Sequence, residues 1–232
     1  MKLKTEKLHI DNIPSIVWGD KSASVYIFVH GKMSDKESAQ EFAKIAIKRG
    51  YQVLSFDLPE HGERKNEYQR CDIWNGIYDL ERIGVYAKEN WNDINLYGCS
   101  LGAYFSLHAY KDLPIQKCLF QSPILDMEFL IQQMFLWFDV TEEQLHKKGE
   151  IPTPIDILSW KYYCYVKDHP IVKWDMPTAI LYGAKDNLQN RNVINNFVDK
   201  FGCELDVSIE SEHSFGNKED SEIVMNWLEE HI

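Results

Sequence analysis

Residues 95–106 read NLYGCSLGAYFS, and their centre, Gly98-Cys99-Ser100-Leu101-Gly102, has the form G-x-S-x-G. A serine hydroxyl is a poor nucleophile at neutral pH. It becomes reactive beside a base within hydrogen-bond reach, and that base needs a third group to orient it. An apolar run precedes Ser100 and a helical pattern follows it, so the serine falls on a strand-to-helix turn. Such a turn pushes the side chain clear of the sheet. Glycines at 98 and 102 leave room for the tight backbone and for the following helix to pack. The plainer alternative is a turn with a serine helix cap.

Two partners are available. Asp186, in Gly183-Ala184-Lys185-Asp186, follows an expected strand at 177–183 directly. Taken alone, Asp186 or its neighbour Asn187 could cap a helix. His213, in Ser211-Glu212-His213-Ser214-Phe215, follows the last expected strand and precedes the last helix. Taken alone it is a surface histidine in a polar loop. Taken together, the chain order Ser100, Asp186, His213, with each at a strand end, is the order in which serine, acid and base follow one another around a nucleophile turn. Asp126, after the strand at 115–121, is the second choice for the acid. Cys99 adjoins Ser100, but neighbouring side chains leave such a turn in different directions. Asp57 ends a strand and is read as bracing the DLPEHG turn; Glu60 and Glu212 have no strong claim.

These residues need a frame to bring them together. Residues 3–10 and 14–18 alternate loosely and predict an opening antiparallel hairpin. Residues 24–30 (SVYIFVH) are a short continuous apolar run, as in a strand buried on both faces. Helical spacing follows at 36–49, a strand at 51–57, and a polar, turn-rich loop after it. A helix at 72–89 precedes a strand at 93–98, a helix at 100–110 and a strand at 115–121. After a long interruption come a strand at 177–183, a helix at 188–201, a strand at 204–210 and a closing helix at 219–231. Strands alternating with helices imply an α/β fold: a mostly parallel central sheet with helices on both faces, joined by right-handed crossovers. Sites in such sheets lie beyond the carboxyl ends of the strands, where Ser100, Asp186 and His213 fall.

The interruption is residues 123–173. It carries Phe129, Phe135, Trp137, Phe138, Trp160, Tyr162, Tyr163 and Tyr165. It is too long for a simple crossover and too aromatic for a disordered loop. It reads as a helical insertion, breaking near residues 149–152.

The 232 residues suit one α/β domain spanning 1–232, with 44% hydrophobic and 26% charged residues. The net charge of -11 repels phosphate backbones and anionic lipid, so neither nucleic acid nor a membrane surface is expected as a partner. The opening residues lack an apolar core of signal-peptide length, and no run of about 18 apolar residues occurs. The five cysteines are widely spaced with no C-x-x-C, which points to reduced thiols and a cytoplasmic protein. The histidines are scattered, with no H-E-x-x-H and no glycine-rich phosphate cradle, so neither a metal nor a cofactor is expected.

The chain resembles the α/β-hydrolase superfamily over nearly its whole length. The resemblance rests on VHGK (29–32), DLPEHGER (57–64), GCSLGA (98–103) and the pair GAKD (183–186) and EHSF (212–215). It is nearest to small bacterial serine carboxylesterases, including acylglycerol- and feruloyl-type enzymes. In that family the turn after the first buried strand often reads His-Gly-x and supplies a backbone N–H to the oxyanion hole. Position here implies Lys32 as that donor, with Met33 as the alternative if the turn is one residue longer. The other donor is the N–H of Leu101. His30 and His61 fit structural turns of the family. Residues 123–173 lie where the family keeps a cap over the site. Phe135, Trp137, Phe138 and Trp160 would then line an acyl or aryl pocket, or else pack the cap on the body.

The resemblance implies acyl transfer to water. Ser100 attacks an ester carbonyl, His213 takes its proton and Asp186 orients the imidazole. A small cap favours small or medium esters. Peptidases and thioesterases share this fold and these groups, and a non-catalytic ligand-binding member of the fold is a further alternative. Dehalogenases and epoxide hydrolases carry an aspartate at the turn, against which Ser100 argues.

Overall fold

The structure, a computed structural model, describes residues 3–232. Eight strands form one sheet in the order β1-β2-β4-β3-β5-β6-β9-β10. They are β1 (Thr5–Ile10), β2 (Ile13–Trp18), β3 (Ser24–Val29), β4 (Gln52–Phe56), β5 (Asp93–Cys99), β6 (Ile115–Gln121), β9 (Thr178–Gly183) and β10 (Glu204–Ser208). β2 runs antiparallel to both β1 and β4. All pairs from β4 through β10 are parallel.

The continuous apolar run at β3 has the expected cause. Val25, Ile27 and Val29 enter the core on one face of the sheet, and Tyr26 and Phe28 enter the core on the other. Alternate side chains point to opposite faces, so a strand covered on both sides must be apolar throughout. One core is closed by α1 (Gln40–Lys48) and α8 (Lys218–His231), through residues such as Phe42, Ala43, Trp227 and Leu228. The other is closed by α2 (Ile73–Asn90), α3 (Leu101–Ala109) and α7 (Arg191–Phe201). Helices therefore cover both faces. Among the described residues, no helix is long and apolar enough to cross a membrane.

Boundaries moved where a side chain reached for a distant partner. The expected helix at 36–49 opens with a short 3-10 turn, Lys36–Ala39. Its entry is pulled toward β4: the Lys36 N–H and Nζ both donate to the buried Asp57, at 2.9 and 2.6 Å. The helix expected from 188 begins at Arg191, because Leu188 and Gln189 donate their N–H groups back to Asp186 and Asn190 caps the helix.

Between β6 and β9 the chain makes α4 (Met127–Trp137), α5 (Glu142–Lys148), β7 (Glu150–Pro152), β8 (Ile157–Ser159) and α6 (Trp160–Asp168). The segment is thus mostly helical, with a correction at its centre. The break near 149–152 is the first strand of a two-stranded antiparallel hairpin. Each strand has three residues, too short for period-two alternation to show in the sequence.

Candidate active site

Ser100 stands between the end of β5 and the start of α3 with φ 49° and ψ -117°, a region non-glycine residues rarely occupy. Holding it there costs on the order of 1–3 kcal/mol, sustained only where the surroundings over-determine the backbone. They do so here. The Ser100 N–H donates to the Gln121 carbonyl at 3.1 Å, and the Ser100 carbonyl accepts from Ala103, Tyr104 and Ile124 at 3.1–3.3 Å. The flanking glycines have a steric cause. A Cβ on Gly98 would lie 2.9 Å from the Ala103 Cα, and one on Gly102 would lie 2.4 Å from the His30 carbonyl oxygen. Any larger residue would push α3 off the ends of β3 and β5.

The turn directs the Ser100 hydroxyl at His213. Oγ lies 2.8 Å from Nε2, and His213 Nδ1 lies 2.7 Å from Asp186 Oδ2. The Asp186 side chain is fully buried and that of His213 is 17% exposed. Asp186 Oδ1 accepts from the N–H groups of Leu188 (2.7 Å) and Gln189 (3.1 Å), leaving Oδ2 for the imidazole. A carboxylate at Nδ1 holds the proton on that nitrogen and leaves Nε2 as an acceptor for the serine O–H. The structure thus brings Ser100, His213 and Asp186 into one hydrogen-bonded row.

The loop carrying His213 is fastened by groups that sequence reading missed. Ser211 is fully buried. Its Oγ bonds Ser208 Oγ at 2.6 Å and donates to Asp220 Oδ1 at 2.5 Å, while its carbonyl accepts from the Lys185 N–H. Phe215, with φ 47°, anchors the far side in the core beneath α8. Their polar or loop context carries no sequence signal of burial.

The other residues weighed have other work. Asp126 caps α4, accepting from the Phe129 N–H at 2.8 Å, and is not in the row. Asp57 braces the turn after β4, accepting from Lys36 and from the Glu63 N–H. Glu60 accepts from the Cys71 N–H. Burial pushes the Cys99 thiol up to about 12, so it carries little thiolate at neutral pH.

The turn after β3 lies against the serine: a Cβ on Gly31 would be 3.2 Å from Ser100 Cβ. His30 and His61 build that turn. His30 Nε2 accepts from the Leu58 N–H at 3.1 Å, and His61 Nε2 accepts from the Met33 N–H at 3.0 Å. The Met33 N–H is therefore engaged, which removes it as the alternative oxyanion donor. Among the described residues the N–H groups of Lys32 and Leu101 have no partner. That of Leu101 is one of the unpaired donors of a helix start.

Ser100, Leu101 and Lys32 open onto a pocket of about 130 Å³. One wall is the face of α4 at Met127, Leu130, Ile131, Met134 and Trp137, the spacing of a single helical stripe. The facing wall is the cap hairpin at Ile155–Ser159 with Tyr162 and Cys71. An ion pair between Lys32 Nζ and Asp156 joins the hairpin to the turn after β3. Of the four aromatics expected at the pocket, Trp137 lines it. Phe135 and Trp160 pack instead around Tyr163, and Phe138 packs against the core. Apart from Trp137, the α4 wall is aliphatic and thioether, and the α4 stripe was the signal for it. No group of three or more potential metal ligands occurs among the described residues.

No protein-family model matches the chain. A curated relative, "Hydrolase phmG" of Phaeosphaeria nodorum, is 31% identical over 86 residues, 34% of this chain and 20% of that protein. The chain thus matches about a fifth of that relative's length. Solved structures align over nearly the whole chain. Alpha/beta hydrolase domain-containing protein 10 from mouse gives a TM-score of 0.76 at 17% identity, covering 98% of this chain and 97% of that one. Est1E from Butyrivibrio proteoclasticus with bound ferulic acid gives 0.76 at 16% identity, over 97% and 96%. An esterase of Pyrococcus furiosus gives 0.71 at 18% identity, over 99% and 90%. Together with the strand order and the turn at Ser100, these likenesses show that the chain has the α/β-hydrolase fold.

Proposed function

We propose that the protein is a serine hydrolase cleaving small or medium carboxylic esters through an acyl-enzyme on Ser100. The observation that carries this reading is the row Asp186–His213–Ser100, with contacts of 2.7 and 2.8 Å, at the edge of an apolar pocket. His213 takes the Ser100 proton as Oγ attacks the carbonyl carbon. Asp186 holds the tautomer and stabilises the imidazolium. The N–H groups of Lys32 and Leu101 receive the developing oxyanion; losing one such donor typically costs about 10²- to 10³-fold. His213 returns the proton to the leaving alcohol, then activates water to release the acid.

The α4 side of the pocket, aliphatic and thioether with the Trp137 ring at its end, supports an acyl chain, while Lys32, Asp156 and Ser159 bring polar groups to the opposite side. The net charge of -11 supports a neutral small molecule over nucleic acid or a membrane surface. The unpaired cysteines support a reducing, cytoplasmic setting.

The test is hydrolysis of p-nitrophenyl esters from acetate to octanoate. The wild type should turn over; Ser100→Ala and His213→Ala should fall to background, and Asp186→Asn should lose roughly 10⁴-fold in kcat. Wild-type rates that persist in Ser100→Ala would overturn the reading.

A further inference from the structure

One residue close to the acid has no part in the row yet bonds to groups on two sides of it. Gln189 is fully buried. Its Oε1 accepts from the N–H groups of Leu125 (2.9 Å) and Asp126 (2.8 Å). Its Nε2 donates to the carbonyls of Asp126 (3.0 Å) and Leu188 (2.9 Å). Two acceptor sites and two donor protons are the whole capacity of a primary amide. Two N–H donors at the oxygen and two carbonyls at the nitrogen also fix which end is which. A buried amide so completely used is a rigid joint, and removing it leaves two N–H groups and two carbonyls unpaired.

The joint connects two parts of the site that share no sequence neighbourhood. On one side the Gln189 N–H donates to Asp186 Oδ1 at 3.1 Å, and its carbonyl accepts from Tyr182 Oη at 3.1 Å. On the other side, the segment it grips leads from β6 into α4. Ile124, in the pocket wall, donates its N–H to the Ser100 carbonyl at 3.2 Å. Asp126 caps α4, whose stripe forms one side of the pocket.

We infer that Gln189 is a positioning residue: its buried side-chain amide holds the entry of α4 against the pocket beside Ser100 and, by pinning Gln189 itself, keeps its backbone N–H on Asp186 and Asp186 in line with His213. The inference rests on the serine-hydrolase reading. Gln189 acts through the acid on the imidazole and through α4 on the acyl chain. It does not touch substrate.

The geometry sets two separable effects. A loosened Asp186 stabilises the imidazolium less, so kcat falls and the acid limb of the kcat/KM profile moves to lower pH. A loosened α4 entry weakens acyl binding, so KM rises for long acyl esters and little for acetate.

The experiment compares wild type, Gln189→Leu and the uncharged, similarly long Gln189→Met, both of which lose the four bonds of the amide. Rates are normalised to the serine titrated by a fluorophosphonate. The expected result is a loss of about tenfold or more in kcat, a downward move of about half a pH unit in the acid limb, and a KM rise confined to long esters. If Gln189→Leu does not fold, Gln189→Met carries the same readouts, with the His213 Nδ1 proton resonance moving upfield. A purely structural Gln189 would lower Tm while the titrated enzyme kept wild-type kcat, KM pattern and acid limb; that result overturns the inference. A wild type whose Ser100 takes no label would instead remove the serine-hydrolase reading on which it rests.

Discussion

The His30 carbonyl oxygen lies 2.4 Å from where a Cβ on Gly102 would sit, with the Val29 carbonyl oxygen at 2.5 Å. The first turn of α3 thus rests directly on the backbone leaving β3. The two turns that flank the proposed oxyanion site touch without an intervening side chain. Gly102→Ala puts a methyl into that contact, where both neighbours are backbone and neither can swing away. The variant should lose about 1–3 kcal/mol of stability, read as a lower urea midpoint at unchanged slope. It should also lose activity in its folded fraction, because Leu101 and Ser100 ride on the displaced turn. A midpoint within error of wild type would show that α3 is not seated so closely.

The acyl chain follows the α4 stripe. Each methylene buried against it contributes about 0.8 kcal/mol, so kcat/KM should rise about fourfold per added carbon until the pocket ends, then fall. Met134→Trp fills the α4 wall two turns along from Met127 and should move the optimum to a shorter acyl group, with acetate hydrolysed at close to the wild-type rate. An unchanged chain-length profile would place the acyl chain elsewhere. Phe135→Leu and Trp160→Leu face the cap interior and should lower Tm with the profile unchanged.

Acid should destabilise the fold before it protonates the carboxylates. Burial pushes His30 down to about 4, with the His61 ring beside it, and burial with nearby Lys111 pushes His108 to about 4. Both are neutral in the folded protein. In the unfolded chain each titrates near the ordinary histidine value of about 6.5. Between these values the unfolded state binds more protons, so stability rises with pH there and falls as pH drops from about 6.5 toward 4. The slope is up to about 1.4 kcal/mol per pH unit for fully buried His30, and less for the partly exposed His108. Urea unfolding at pH 7, 6 and 5 measures it, and His108→Gln should flatten the dependence. A stability flat from pH 7 to 5 would contradict buried neutral imidazoles.

Much of this was readable from the chain. The alternation of apolar runs with 3.6-period segments reports which surfaces must be covered, and that is what a parallel sheet with helices on both faces requires. That Ser100, Asp186 and His213 would lie near one another was legible because each stands in the segment after a parallel strand, and such segments converge at one edge of the sheet. The pocket was less legible. Phe135, Phe138 and Trp160 are aromatic for the sake of the cap's own packing, and residue type does not say which way a side chain points. The hairpin at Glu150–Pro152 and Ile157–Ser159 was hidden by its brevity. Gln189, Ser211 and Asp220 look like ordinary loop and helix-start residues; only the closed chain shows them buried and bonded.

An active-site-directed fluorophosphonate tests whether Ser100 is an activated nucleophile without any assumption about the substrate. The folded wild type, Ser100→Ala and His213→Ala are treated side by side and the adduct is mapped by mass. A single adduct on Ser100, absent from Ser100→Ala and strongly slowed in His213→Ala, is the predicted result. A folded wild type that takes no label, or takes it on another residue, would show that Ser100 is not activated.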